Sequence, residues 1–340
     1  MTQAPVDPGP ETAPDPGADR QRLKRFLLRD AGVFLALIVI VLVFSFTAPY
    51  FATSNNALKI FVQIAINTVL AAGMTFVILT AGIDLSVGSV LALCTVVGAL
   101  IMTSGMSPVL SIPLAILGCI AVGGLCGFIN GKVSTYWKVP SFIVTLGMLN
   151  IAAGAARVLS DNSTITGLPQ GFVNFGNLII GGFLPSIFLI AVAVIALGWF
   201  ILRFTVFGRM IYAVGANDEA VRLSGHNPDA YKIAAFTISG AAAGIAAIVY
   251  LLRLNIGSPI AGVGYELNAI AAVIIGGTSL FGGKGSIIGT LAGACILQVL
   301  ATGLQLLGVG DNYKPIIIGA VIILAVIVDT YRDRLLRTMR

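Results

Sequence analysis

Few side chains in this sequence stand where covalent chemistry needs them. The single histidine, His226, has no serine, cysteine or carboxylate partner at catalytic spacing, and no Ser-His-Asp or paired-carboxylate arrangement occurs. Cys94, Cys119, Cys126 and Cys295 lie in apolar stretches without CxxC or metal-ligand spacing, so they read as helix-packing residues. Gly277–Ser286 looks like a phosphate-binding loop only at a glance. The pattern G-x-x-x-x-G-K-[ST] fails, because Thr278 occupies the first glycine position and Gly285 follows Lys284. No catalytic residue, metal ligand or cofactor site is expected on this chain.

What remains is polar chemistry inside an apolar sequence. Asp84 is flanked on both sides by long hydrophobic runs. At a bilayer centre an acid costs about 2.5–3.5 kcal/mol on insertion scales, so Asp84 should face a turn, a cavity or a partner. Capping the helix that follows is the first reading, a gate or subunit-interface role the second, and proton coupling the third.

The elements that must position these residues are membrane helices. Hydrophobic residues make up 57% of the chain, charged residues only 10%, and the mean hydropathy is +1.00. An ordinary soluble domain is about a quarter charged. A span needs about 20 mostly apolar residues, and ten segments qualify: 31–48, 58–80, 85–104, 109–130, 141–159, 184–202, 233–252, 267–281, 286–307 and 315–330. The eighth is short and Gly-rich, so it is expected to be tilted, broken or shielded by its neighbours. Residues 1–25 are expected to be a disordered, Pro-rich cytoplasmic tail, and residues 26–335 the transmembrane domain.

Charge distribution tests this count. With the N-terminus in the cytoplasm, the inner side receives Arg20, Arg22, Lys24, Arg25, Arg29, Lys132, Lys138, Arg203, Arg209, Arg222, Lys232, Lys284, Arg332, Arg334, Arg337 and Arg340. The other side receives Lys59, Arg157, Arg253 and Lys314. Sixteen against four accounts for all 20 cations and follows the positive-inside rule. The sequence therefore predicts an all-α polytopic inner-membrane protein with ten spans and both termini cytoplasmic. The net charge of +6 sits at segment ends, which argues for contact with membrane lipid and against nucleic acid.

Two regions read as distant copies. Thr75–Leu93 and Ala272–Leu291 each run from a β-branched helix through a Gly-containing turn to a Gly-Ser restart, at Gly88-Ser89 and Gly285-Ser286. Such paired interruptions point to a transport pathway; chance likeness between Gly-rich segments is the alternative. Glycines four apart (Gly123, Gly127 and Gly131; Gly240 and Gly244; Gly285, Gly289 and Gly293) allow close helix approach.

The loop over about 203–232 carries Asp218, Glu219, Arg222 and Asp229. Asn217 is a good N-cap, Gly225 a stop, and Asn227-Pro228 a turn, so a helix of about two turns is expected there. This stretch, with Gly82-IDLSVG-Gly88, Val139-PSFIVTLGM-Met148 and Ala271–Ser286, resembles the permease subunit of a ribose/xylose-type ABC importer. The resemblance covers about residues 25–335. It implies a cytoplasmic ATPase partner that carries ATP–Mg, an extracytoplasmic sugar-binding protein, and a second permease copy. Carried over, Asn217, Asp218, Glu219, Ala220, Arg222 and Gly225 fall on the region that couples to the ATPase. His226 and Pro228 depart from the pattern, and so does Arg157–Pro169, so the identity of the sugar does not transfer.

Neutral amides suit a sugar's hydroxyls. Asn67, Asn150 and Asn268, with Gln63, Gln298 and Gln305, are candidates for a weakly polar pathway alongside Asp84. Hydrogen bonding between helices is the alternative. A transporter driven by protons or sodium alone is the competing function, and within the spans it has only Asp84 and Glu266 to work with.

Overall fold

The computed structural model describes residues 32–310, 312–313, 316–321, 323–324 and 327. The expected tail over 1–25 and the terminal basic clusters lie outside the described residues.

Every expected segment from 31–48 to 286–307 contains a helix, although the eighth, 267–281, runs past the end of its helix into irregular chain. In chain order these are α1 (Gly32–Thr47), α2 (Ser54–Leu79), α3 (Val87–Met102), α4 (Pro108–Tyr136), α5 (Ser141–Leu159), α7 (Ser186–Phe204), α10 (Pro228–Leu254), α11 (Tyr265–Ile275) and α12 (Ile287–Leu306). Residues 316–321, within the tenth segment, are also helical. Between α5 and α7 lie a short helix, α6 (Gln170–Gly176), and a hairpin of β1 (Ile179–Ile180) with β2 (Leu184–Pro185). The loop before α10 holds two helices where one was expected: α8 (Val206–Ala216) precedes α9 (Asp218–Leu223). The additional helix has an apolar face that the charge-rich reading of this loop overlooked.

Six helices (α2, α4, α5, α7, α10 and α12) are long and apolar enough to cross a membrane. Helices α1, α3, α8 and α11 are apolar but shorter. At about 1.5 Å per residue, 16 residues of α3 reach about 24 Å, short of a hydrocarbon core of about 30 Å. Irregular chain flanks α3 at 80–86 and 103–107. Such backbone survives at membrane depth only when protein shields it, and α3 is buried along most of its length. The Thr95 hydroxyl on α3 donates to the Ser258 carbonyl at 3.2 Å and accepts from the Ser258 N–H at 3.3 Å, tying down the loop before α11.

Two helices form the centre. In α2, 83% of the spanning window is buried within the protein, against 22% in α5, which sits at the edge. α10 is almost as enclosed and packs along α4 and α2. The glycine stripes explain how α10 and α4 meet. A methyl on Gly123 would strike the Gly240 carbonyl oxygen, one on Gly127 the Phe236 carbonyl, and one on Gly244 the Cys119 carbonyl. The stripes face each other inside one chain. Gly289 and Gly293 of α12 press in the same way on the Gly276 and Ala272 carbonyls.

Beside this contact, α3 meets α4 through a reciprocal thiol pair. Cys94 Sγ–H donates to the Cys119 carbonyl at 3.3 Å, and Cys119 Sγ–H donates to the Cys94 carbonyl at 3.2 Å. Both thiols are buried and free, in keeping with a packing role.

Overpacking a tight crossing costs about 1–3 kcal/mol. Gly123→Val is therefore expected to lower the melting temperature in detergent by several degrees. Gly147→Ala, on the open face of α5 where nothing lies within 4 Å of the added methyl, is expected to leave it unchanged. Thermal unfolding followed by size-exclusion fluorescence distinguishes the two.

Candidate functional site

The site is built where two helix breaks meet. α2 ends because Ala81 adopts a left-handed φ of 60°, with Gly82 N–H bonded to the Val77 carbonyl at 3.0 Å and Ala81 N–H to the Ile78 carbonyl at 2.9 Å. α11 ends through the same pair of bonds. Gly277 is left-handed at φ 84°, Thr278 N–H donates to the Val273 carbonyl at 3.1 Å, and Gly277 N–H donates to Ile274 at 2.8 Å. Both are Schellman terminations. The chain then restarts as a helix after a serine N-cap, Ser86 before α3 and Ser286 before α12. The two connections, 80–86 and 276–286, differ in length, so the breaks share their ends and caps but not a residue-for-residue register.

The breaks touch. Gly283 N–H donates to the Leu79 carbonyl at 2.9 Å, and the Thr75 and Thr290 hydroxyls, both buried, share a hydrogen bond of 2.9 Å. The C-terminal end of α8 fills the space beside them. A methyl on Gly215 would strike the Leu79 carbonyl and the Gly283 nitrogen, and one on Gly282 would crowd Ala81 and the Gly215 carbonyl. Tyr212 on α8 also donates its hydroxyl to the Gly285 carbonyl at 3.1 Å. One amphipathic helix thus rests on both interruptions.

α8 leads into the short charged helix. Thr205 caps α8, its hydroxyl accepting from Gly208 N–H at 3.0 Å. Asn217 caps α9 through Oδ1, which accepts from Ala220 N–H at 3.0 Å. Gly225, at φ 85°, ends α9, with His226 N–H on the Val221 carbonyl at 3.2 Å and Gly225 N–H on the Arg222 carbonyl at 3.0 Å. Asp218, Glu219, Ala220 and Arg222 are exposed while Val221 is buried, and Leu223 projects with 81% of its surface open. Lys232 Nζ lies 2.8 Å from Asp218 Oδ2 and holds α9 against the start of α10. That hydrogen bond keeps the Asp218 carboxyl below the usual aspartate range. Arg222 and Glu219 form a looser exposed pair at 3.7 Å.

Asp84 is 1% exposed and sits two residues before the cap of α3, where it does not cap the helix itself. Its Oδ1 accepts from the Ser86 N–H at 3.0 Å and the Ser86 hydroxyl at 2.6 Å, and Oδ2 accepts from the Ser239 hydroxyl at 3.0 Å. Asn130 Nδ2 donates to the same Ser86 hydroxyl at 2.9 Å. The carboxylate thus joins the first break to α4 and α10. Spacing alone did not reveal Ser86, Asn130 or Ser239, although Asn130 adjoins the Gly131 end of a stripe that did stand out.

The remaining sequence candidates are not gathered with Asp84. Asn67 is half-buried within α2, Asn268 half-buried on α11, and Asn150 exposed on α5, where its amide bonds only the Leu146 carbonyl at 3.0 Å. No hydrogen bond links these three to one another or to Asp84 among the described residues. Gln298 instead donates to Gln63 Oε1 at 2.6 Å and ties α12 to α2. A polar cavity of about 350 Å³ opens between Asp218, Arg222, Asp229 and Lys232 on one side and Thr80–Gly82 and Ser134–Ser141 on the other.

A family model described as branched-chain amino acid transport system / permease component matches residues 56–326. The ribose import permease protein of Escherichia coli (strain K12) is 40% identical over 318 residues, covering 92% of this chain and 98% of that one. The D-allose transport system permease protein of the same organism is 41% identical over 300 residues, 88% of this chain and 90% of its own. The fructose import permease protein of Rhizobium meliloti is 36% identical over 326 residues, 92% and 88% respectively. No solved structure matches.

Two outcomes test this geometry. Asp84→Ala leaves the Ser239 hydroxyl and the Ser86 donors without their acceptor, at about 1–3 kcal/mol for each buried group left unpaired. It is expected to lower the melting temperature sharply, and the shape-conserving Asp84→Asn less so. For Asp218 the folded pKa is depressed. The contribution of the pair is therefore full above the free aspartate value of about 3.9 and disappears as pH falls through the lowered folded value. Lys232→Met is expected to move the Asp218 titration midpoint, read by carboxyl-selective NMR, up toward that free value.

Proposed function

This chain belongs to the family described as branched-chain amino acid transport system / permease component, and on that footing we propose how it moves its solute. The chain is the membrane permease subunit of an ABC importer for a simple sugar. Its named relatives act on ribose, allose and fructose, so the class rests on chemistry they share, a small polyhydroxylated ring.

In this reading the chain spans the membrane ten times with both termini in the cytoplasm, as the sixteen-to-four division of cations supports. Two copies assemble around the pathway. An extracytoplasmic binding protein delivers the sugar, and a separate cytoplasmic ATPase supplies ATP–Mg hydrolysis. This chain is not itself the enzyme.

The observation that carries the mechanism is the path from α9 to the two breaks. α9 stands out from the bundle, capped at both ends and carrying an exposed Leu223 among charges, a shape suited to seating in a partner's cleft. A push on α9 reaches α8 through Asn217, and the glycine contact at Gly215 leaves no side chain to absorb it. Tyr212 and Gly215 then bear on the Leu79–Gly283 contact that holds the breaks together. Separating those breaks changes access to the pathway without unfolding a helix. Asp84 keeps the first break attached to α4 and α10, a positioning role that needs no proton transfer.

Uptake by proteoliposomes holding this chain, its ATPase and its binding protein tests the reading. Glu219→Arg and Gly225→Trp are expected to reduce ATP-driven uptake of labelled ribose, allose or fructose at least tenfold while the chain still folds. Wild-type uptake by both variants removes α9 from the mechanism. Uptake that stops when an ionophore collapses the proton gradient, with ATP intact, points instead to ion-driven transport.

A further inference from the structure

At the end of the bundle away from α8 and α9, a second cavity of about 400 Å³ lies between the start of α2, the end of α10 and the β1–β2 hairpin. This volume falls within the range of small-molecule pockets, about 300–1,000 Å³. Two cations line it, Lys59 and Arg253, with the amides of Gln63 and Asn177 beside them and no acid in its wall. Only two ion pairs occur among the described residues, Arg222–Glu219 and Lys232–Asp218, and neither involves these cations. Arg253 has a partial structural reason to be there, since it sits in the last turn of α10 beside exposed carbonyl ends. Lys59, six residues into α2, has no such reason.

The concentration of charge is notable because cations are scarce at this end. Of the four that the sequence places on this side, Lys59, Arg157, Arg253 and Lys314, two share one cavity. The hairpin beside it is apolar and open. Leu178 and Ile179 line the cavity, and Ile180 and Phe183 flank the Gly181-Gly182 turn at 44% and 63% exposure. Cations above exposed aliphatic and aromatic side chains, at the ends of two spanning helices, match the two halves of a lipid. The cations suit an anionic headgroup and the hairpin an acyl chain.

We propose that this cavity is a binding site for the headgroup of an anionic phospholipid, with Lys59 and Arg253 holding the phosphate, Asn177 bonding the glycerol portion, and the hairpin tip resting on the acyl chains. The site lies apart from the α8–α9 end, and its occupation does not depend on which sugar is carried or on what drives transport.

Native mass spectrometry and thermal unfolding of the detergent-purified chain provide the test. Phosphatidylglycerol, phosphatidylcholine and inorganic phosphate are titrated separately against the wild type, Lys59→Gln, and Lys59→Gln/Arg253→Gln. With each basic side chain near a membrane surface contributing modestly, the double variant should lose on the order of tenfold or more in phosphatidylglycerol affinity. Lys59→Gln, at an exposed position, keeps the comparison valid if the double variant folds poorly. Equal retention of phosphatidylglycerol by all three chains overturns the proposal, and so does equal preference for phosphatidylcholine. Stabilisation by inorganic phosphate to the same extent shows a free-anion site and overturns the lipid assignment. Unchanged lipid binding, with loss of complex formation with the binding protein, reassigns the cavity to an acidic protein partner. Failure of sugar uptake in proteoliposomes leaves the lipid result standing.

Discussion

Every backbone amide and carbonyl at membrane depth must find a partner within the protein, and this requirement governs the architecture. A continuous helix meets it automatically, whereas a broken one does not. This chain breaks two helices near one end and lets each break help satisfy the other. Leu79 at the end of α2 exposes a carbonyl, and Gly283 in the second break supplies the N–H. The burial of Thr75, Thr290, Asp84 and Ser239 follows from the same demand. Polar side chains are admitted where interrupted backbone or a neighbouring helix can bond them.

Glycine decides how close the elements come. Along α4 and α10 the contacts are glycine to carbonyl, and the same holds where α12 crosses the end of α11 and where α8 reaches the breaks. Lipid provides no hydrophobic drive to press helices together, so dispersion contacts between backbones must supply the attraction. These interfaces are the tightest in the molecule, and α5, α7 and α1 pack around them with much of their surfaces open.

Much of this was legible in the sequence because it depends on local rules. Hydropathy located α1 to α5, α7 and α10 to α12, and the cap-and-stop logic of Asn217, Gly225 and Asn227-Pro228 located α9 and the start of α10. Three things escaped. α8 was hidden within a stretch read for its charges, although Phe207, Ile211 and Val214 follow helical spacing. The glycine stripes announced close packing but not a partner, since a stripe faces another helix of the same chain as readily as a second copy. Asp84 was recognised as anomalous, yet Ser239, more than 150 residues away, could not be paired with it, because such contacts arise from helix arrangement rather than spacing. The amides at Asn67, Asn150 and Asn268 share a residue type but not a location, and composition cannot supply the location.

The crossing of α4 and α10 has a mechanical consequence. A seam made of side chains can yield, because rotamers flip and methyl groups slide within their wells. A seam of backbone against backbone has no such soft coordinate. Helices fused in this way behave as a single stiff beam, so any displacement within the molecule is confined to what hangs from that beam by loops. The residues between Asn255 and Gly264, which connect the beam to α11, are themselves pinned, Ser258 by the Thr95 hydroxyl and Gly257 by the Ile165 backbone, so the second broken helix is moored to the flank of the beam.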